Sequence, residues 1–429
     1  MTDESPYWPH GFFAELRSWA ETGADETDLD SEQLVTMYQR AAEEITGPAI
    51  ANPRRVLMEE FEQRAAFEAG LVARWGPALD LAEVTVDEAR EAGRWINSRY
   101  RAGAARRQDH KFDALIRLHG KAVMTAKEVF VLLRSGYSTG ALARWRTLHE
   151  VWVVFSLLVD GNQELSRRYM VHEAIESMKG EEEYEETWDA LGFEPPNWTS
   201  SNRDQVRASL AQEFGETFLR DYGWAAPMFE GRAPRFRQLQ ELAQLDHWRG
   251  YYRMASHGTH ANPKGLSWSI QSFDRSDVLW AGPSNAGLLD PAQCTLIALT
   301  NVTVGLLRYA VEDLMTEDDL TANQVLALVR QQTLLIFMDR AISAFAVIDE
   351  EQKLEDEAIG ALIDQSAAVL RETPFMTSAQ LSERLEVDTD RLEEALHQAL
   401  ARGVLQGDTR CYVSEREGEG SNDDPGSSP

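Results

Sequence analysis

The chain has 429 residues, 43% of them apolar and 26% charged, which excludes a disordered or disulfide-stapled miniature and predicts two or three ordinary globular domains. Its formal charge of −29 opposes phosphate backbones and anionic membrane surfaces, so nucleic acid is not the expected partner unless a local basic patch exists. Cys294 and Cys411 fit no disulfide framework, the longest apolar stretch, Val151–Val159, is too short for a membrane span, and the start Met1-Thr2-Asp3-Glu4-Ser5-Pro6 lacks a leader pattern. A cytoplasmic protein with no membrane span and no cofactor is therefore expected.

In chain order, helical spacing runs over Phe12–Ala20 and Ser31–Glu44. A turn is expected at Gly47-Pro48 and Asn52-Pro53, then a helix over Arg55–Ala73 that Gly76-Pro77 breaks. Residues 1–80 form an N-terminal helical extension in this reading. A central helical domain, 85–315, follows. Val86–Arg101 and Asp109–Ser135 are its first amphipathic stretches, the second with a stripe of Val123, Ala126, Val129, Phe130 and Leu133. Ser138 or Thr139 is the expected N-cap of the most apolar helix, Gly140–Val159, which Asp160-Gly161-Asn162 ends. A helix over Glu164–Lys179 runs into a solvated acidic segment, Glu181–Glu186. Arg203–Tyr222 and Ala233–Ser256 are further helices. The irregular stretch His257–Pro291 includes Ser267–Ser272, which has the composition of a short strand, and Cys294–Asp313 closes the domain with an apolar helix.

Residues 320–372 read as a helical connector and 374–414 as a winged helix-like module. Thr377 caps a short helix, Glu386-Val387-Asp388-Thr389 is a tight turn, and Asp390–Ala401 carries Leu392, Ala395, Leu396 and Leu400 on one face. Val404-Leu405 and Cys411-Tyr412-Val413 could pair as the wing. The second helix presents Asp388, Asp390, Glu393 and Glu394 against Arg391 and His397, a charge set that favours protein contact over DNA. Residues 415–429 have a disordered composition. The fold class is all-α: a multi-helix bundle with a small C-terminal module.

Chemistry concentrates on the helix Gly140–Val159. Arg146 and Glu150 are four apart and share a face, with His149 beside them, next to the apolar stripe Leu142, Trp145, Leu148, Trp152 and Phe155. A carboxylate in such a neighbourhood must be paired, so guanidinium and imidazole groups are expected to converge on Glu150. The stretch ending Arg146-Thr147-Leu148-His149-Glu150 resembles the Arg-x-x-x-Glu helix of a bacterial group known as domain of unknown function 5677. Arg168-Tyr169 and the run from Tyr252 through Ser256 to His260 fit the same pattern. The resemblance covers roughly Glu88–Asp313 and implies an all-helical domain in which Arg146, Glu150, Tyr252, Ser256 and His260 approach one another; it implies no activity.

Alternatives stand beside it. An Arg–Glu–His network can simply fix helix register. Arg144 and His149, separated by four residues, resemble the motif of the helical HEPN ribonucleases, in which His is a base and Arg stabilises phosphate. His257 and His260 with Glu150 or Glu173 could hold a metal, although Gly258 and Pro263 oppose the helix this needs. Trp145, Trp152, Tyr251, Tyr252 and Trp268 could wall a pocket anchored by Arg146 and His260. The preferred reading is a non-enzymatic sensing or assembly protein that could form a homo-oligomer. Its site for a small-molecule or protein ligand comprises Arg146, Glu150, Arg168, Tyr169, Tyr252, Ser256 and His260. The alternative is a metal-independent, toxin- or defence-related ribonuclease using Arg144 and His149.

Overall fold

A computed structural model describes residues 46–193, 202–260, 282–315, 322–373 and 376–401, together with isolated positions among 35–43 and 263–280. The described chain is helical, apart from the two-residue strands Gln271–Ser272 and Leu279–Trp280, which pair antiparallel. The helices expected at Phe12–Ala20, the wing strands and the acidic tail lie outside the described residues, as do the side chains of His397 and Trp268. Internal packing divides the chain into two units, Met1–Ala73 and Arg74–Pro429.

In the first unit, residues 46–51 are helical where a turn was expected at Gly47-Pro48. Asn52 caps a single turn, Pro53–Val56, its Oδ1 accepting from the Arg55 N–H, with Pro53 at the first helical position. The next helix, α1, spans Met58–Arg107 and contains Pro77. The break expected at Gly76-Pro77 is therefore absent, and the helices read as Arg55–Ala73 and Val86–Arg101 belong to one element. The reason lies in the second unit. Trp75, Ala82, Ala89 and Ile96 repeat every seven residues and are all buried, with Leu79, Val86 and Tyr100 beside them. That continuous seam outweighs the hydrogen bond that Pro77 cannot make.

The core of the second unit is built from α2 (His110–Arg134), α3 (Ser138–Asp160), α9 (Leu289–Tyr309) and the first half of α10 (Ala322–Glu372), which pack on one another. Asp109 caps α2 by accepting from the Phe112 N–H at 2.9 Å, and its expected stripe from Val123 to Leu133 is buried. The helix α3 starts one residue after Tyr137, which offers no side-chain cap, so Ser138 lies inside the helix rather than capping it. After Gly161, Asn162 caps α4 (Gln163–Val171).

Chain breaks then fall where the sequence reading had continuous helix. His172 separates α4 from α5 (Glu173–Leu191). The acidic run Glu181–Glu186 lies within α5, with Glu183 and Glu186 exposed, while Arg203 of α6 (Arg203–Phe214) pairs with Glu185 and Arg207 with Glu182. Gly215, at φ +86°, stops α6, and two 3₁₀ turns follow, Glu216–Leu219 and Gly223–Phe229. The helix expected over Ala233–Ser256 is likewise split by Gln244, at φ +58°, into α7 (Phe236–Leu242) and α8 (Arg249–His257). Both pack on α3.

By length and composition two helices could cross a membrane, Leu289–Glu312 and Ala322–Glu372. The first is the bundle's central helix, with Leu296, Ala298, Leu299, Val302 and Leu306 fully buried.

Near the C-terminus, α11 (Ser378–Leu385) and α12 (Thr389–Ala401) pack on the last turns of α10. Thr377 caps α11 in a reciprocal box with Gln380. The turn is fixed by the Ser382 hydroxyl, which donates to the Val387 carbonyl at 2.6 Å, and by Glu386 in a left-handed conformation. Ile359, Leu362, Ile363 and Leu370 of α10 join Leu381, Leu392, Ala395 and Leu396 in one apolar cluster. The segment read as connector thus supplies the third helix of this small core.

Candidate functional site

Two helical i,i+4 pairs meet face to face. On α3, one Nη of Arg146 lies 3.2 Å from Glu150 Oε1. On α8, the Ser256 hydroxyl donates to the Tyr252 carbonyl at 2.8 Å. Three contacts cross between the helices. Arg146 Nε donates to Ser256 Oγ at 3.1 Å, the Tyr252 hydroxyl donates to Glu150 Oε1 at 2.7 Å, and the Arg146 guanidinium lies 4.7 Å from the centre of the Tyr252 ring. The result is a closed ring of four residues, its last link running from the Ser256 hydroxyl to the Tyr252 main-chain carbonyl.

This ring differs from the buried charge the sequence suggested. The side chains of Arg146 and Glu150 keep 29% and 35% of their exposure, so water reaches both. No imidazole takes part. His260 is exposed beyond the end of α8; its backbone N–H donates to the Ser256 carbonyl, and its ring engages neither Arg146 nor Glu150. Burial and the adjacent Glu150 carboxylate push the Tyr252 phenol well above its ordinary pKa, so it remains a donor at neutral pH.

His149 turns the other way, into the protein. It is fully buried, with Trp145, Trp152, Phe236 and Tyr252 rings around it at 5.3–6.5 Å between centres. Its Nε2 lies 2.9 Å from Gln240 Nε2, so the amide donates to the ring and the imidazole proton resides on Nδ1, which has no hydrogen-bond partner among the described residues. Burial, helped by His247, lowers its pKa to about 4. Arg144 instead pairs with Glu128 of α2. Five residues on a helix subtend about 140°, and the two side chains of the ribonuclease-like spacing accordingly serve different neighbours. Trp145 and Trp152 are core residues against Trp248, not walls of an open pocket, and Tyr251 is exposed.

Arg168 is buried and positions backbone. Its guanidinium donates to the carbonyls of Trp224 (3.2 Å) and Gly223 (3.3 Å) and packs over Phe214 and Phe218. Burial lowers its pKa. The loop it holds presents Tyr222, in a left-handed conformation at φ 55°. The Tyr222 phenol is raised in pKa by burial and then by Glu150. Arg168 therefore connects to the Arg146 ring through the loop rather than by contact. Tyr169 packs edge-on against Trp224 and borders a cleft. Among the described residues, no three His, Cys, Asp or Glu side chains are grouped to hold a metal ion, and Glu173 borders the cleft with Tyr169.

Sequence reasoning missed Gln240, Phe236, Trp248 and Tyr222. Gln240 and Phe236 meet His149, and Trp248 meets Trp145 and Trp152, across about 90–100 positions of chain, so only the crowding of aromatics over His247–Tyr252 gave a signal, and that for Trp248 alone.

The class these features define is a helical bundle in which α3 carries a buried aromatic–histidine cage on one side and a water-reachable Arg–Glu–Tyr–Ser ring on the other. Residues 112–277 match the family model described as a family of unknown function (DUF5677), a narrower span than Glu88–Asp313. The match contains every residue of the ring. No curated protein and no solved structure matches the chain.

Proposed function

We propose that the chain is a non-enzymatic sensing or assembly protein whose central domain receives a ligand or partner segment at Arg146 and Glu150. One observation carries the reading. Both groups are rigidly held, yet the second terminal nitrogen of Arg146 and the second carboxylate oxygen of Glu150 have no partner among the described residues. A pair that served only to lock helix register would gain by using those atoms. Left open to water, they form a preorganised donor beside an acceptor. This matches a ligand that offers an acceptor next to a donor, as an amide or an amino-acid head group does. Nucleic acid is a poor candidate because the acceptor is anionic and the protein is strongly acidic.

Native mass spectrometry of protein purified from cells tests it. The wild type should retain a bound species that Arg146→Ala loses, with the melting temperature lowered by no more than a few degrees, since a solvent-reachable ion pair contributes about 1 kcal/mol or less. Equal retention by the variant, or its global unfolding, would leave only the register-locking role. Total RNA incubated with the wild type should stay intact.

A further inference from the structure

A cleft of about 680 Å³ opens between α2, α4, the start of α5 and the turn at Tyr222. Arg117 and Lys121 stand on its α2 side, one helical turn apart and exposed. Neither forms an ion pair or hydrogen bond among the described residues. Neighbouring arginines Arg134, Arg144 and Arg167 are by contrast all paired, in a chain where 71 acidic residues face 42 basic ones. The hydroxyls of Tyr169 and Tyr222, which also border the cleft, have no hydrogen-bond partner among the described residues either.

The opposite wall carries carboxylates, but most are already answered. Lys179 donates to both Glu176 and Asp221, and His172 Nδ1 lies 3.5 Å from Glu176. Glu173 alone is left without an ion-pair or hydrogen-bond partner there. The open groups of the cleft are thus two cations, two phenol donors and one acceptor. Two positive charges a turn apart match a dianion better than a single carboxylate, and the phenols add donors for its remaining oxygens. The Tyr169 and Tyr222 rings, with Leu118 and Met170, offer an apolar wall for an organic group.

We propose that this cleft is a binding site for a phosphate monoester carrying a flat, partly apolar group, with Arg117 and Lys121 on the phosphate and Glu173 on an N–H or O–H of the organic part. A nucleoside monophosphate has this chemistry. The assignment is independent of the ligand reading at Arg146.

Isothermal titration of the full chain with adenosine 5′-monophosphate, adenosine and inorganic phosphate tests it. The monophosphate should bind, inorganic phosphate should compete with it, and adenosine should bind at least tenfold more weakly. Arg117→Ala and Lys121→Ala should each weaken monophosphate binding by about tenfold or more, as loss of a charge-assisted hydrogen bond does. Tyr169→Phe should weaken it several-fold. Both cations are exposed, so the variants should keep the wild-type circular dichroism. Absence of binding at millimolar monophosphate, adenosine binding as tightly as the monophosphate, or wild-type affinity in Lys121→Glu overturns the proposal.

Discussion

Of the three buried histidines, His119 and His149 are held furthest from protonation and make the core sensitive to acid. His119 donates from Nε2 to Thr303 Oγ1 at 3.1 Å, while the Thr303 hydroxyl itself donates to the Leu299 carbonyl. Burial lowers the pKa of His119 to about 4, as it does for His149. Both are neutral when folded at pH 7, whereas the unfolded chain binds their protons below about 6.5. Between those values the unfolded state holds more protons, so stability is fully present above pH 6.5 and falls as pH drops toward 4. Each histidine contributes roughly 3 kcal/mol to that loss across the whole window. Urea denaturation at pH 7, 6 and 5 should show the decline, with a shallower slope in His149→Asn; identical slopes would show that His149 is not held neutral. His119 also explains a glycine. A Cβ at Gly93 of α1 would come within 2.4 Å of the His119 ring, which is buried and has no room to retreat. Gly93→Ala should therefore destabilise by about 1–3 kcal/mol, the usual cost of overpacking, measured by the shift in urea midpoint.

At the scale of elements, α1 contains a conflict between local grammar and packing. Pro77 is exposed on a helix whose opposite face is buried over its whole length in the second unit. A proline there forfeits a backbone hydrogen bond and crowds the preceding turn, at a cost of about 3 kcal/mol. Pro77→Ala should raise stability by about 1–3 kcal/mol in chemical denaturation; a decrease would show that the ring itself packs. The same conflict explains what the sequence reading could and could not recover. Helices with one apolar stripe and a capping residue, such as α2 after Asp109 and α11 after Thr377, were legible to within about a residue. The continuity of α1 was not, because breaker residues outvote a seven-residue repeat when short windows are read. Nor were the breaks at His172 and Gln244, where a non-glycine residue ends a helix for tertiary reasons: the His172 Nε2 donates to the Arg220 carbonyl 48 positions away. In the site, the spacing of Arg146 to Glu150 and of Tyr252 to Ser256 was legible because each pair lies on one helix. The turning of His149 away from them was not, because Phe236 and Gln240 of α7 and Tyr252 of α8 come from distant parts of the chain.

Across the molecule, α10 joins two cores that share no buried residue. Its buried positions Ala327, Leu334, Ala341 and Phe345 belong to the first half, and the ring of Phe345 lies 5.7 Å from that of Trp75. The next buried position is Ile359, where the C-terminal cluster begins. The intervening turns carry Asp349, Glu350, Glu351, Lys353, Glu355 and Glu357, held by surface pairs such as Lys353–Asp349 and Arg74–Glu355 that contribute little. A helix with no buried side chain over this stretch transmits opening poorly, so the two cores should unfold as separate cooperative units. Leu392 is fully buried in the C-terminal cluster, and Leu392→Ala should cost that cluster about 2–4 kcal/mol. A cluster this small has little stability beyond that. Hydrogen exchange of the variant should show faster exchange over Ser378–Ala401 and the last turns of α10, while the amides of α2, α3 and α9 keep wild-type protection. The Arg146 ring should remain intact as well, because α3 and α8 draw nothing from the C-terminal core. Loss of protection spreading into α3 would instead show that α10 couples the two cores into one folding unit.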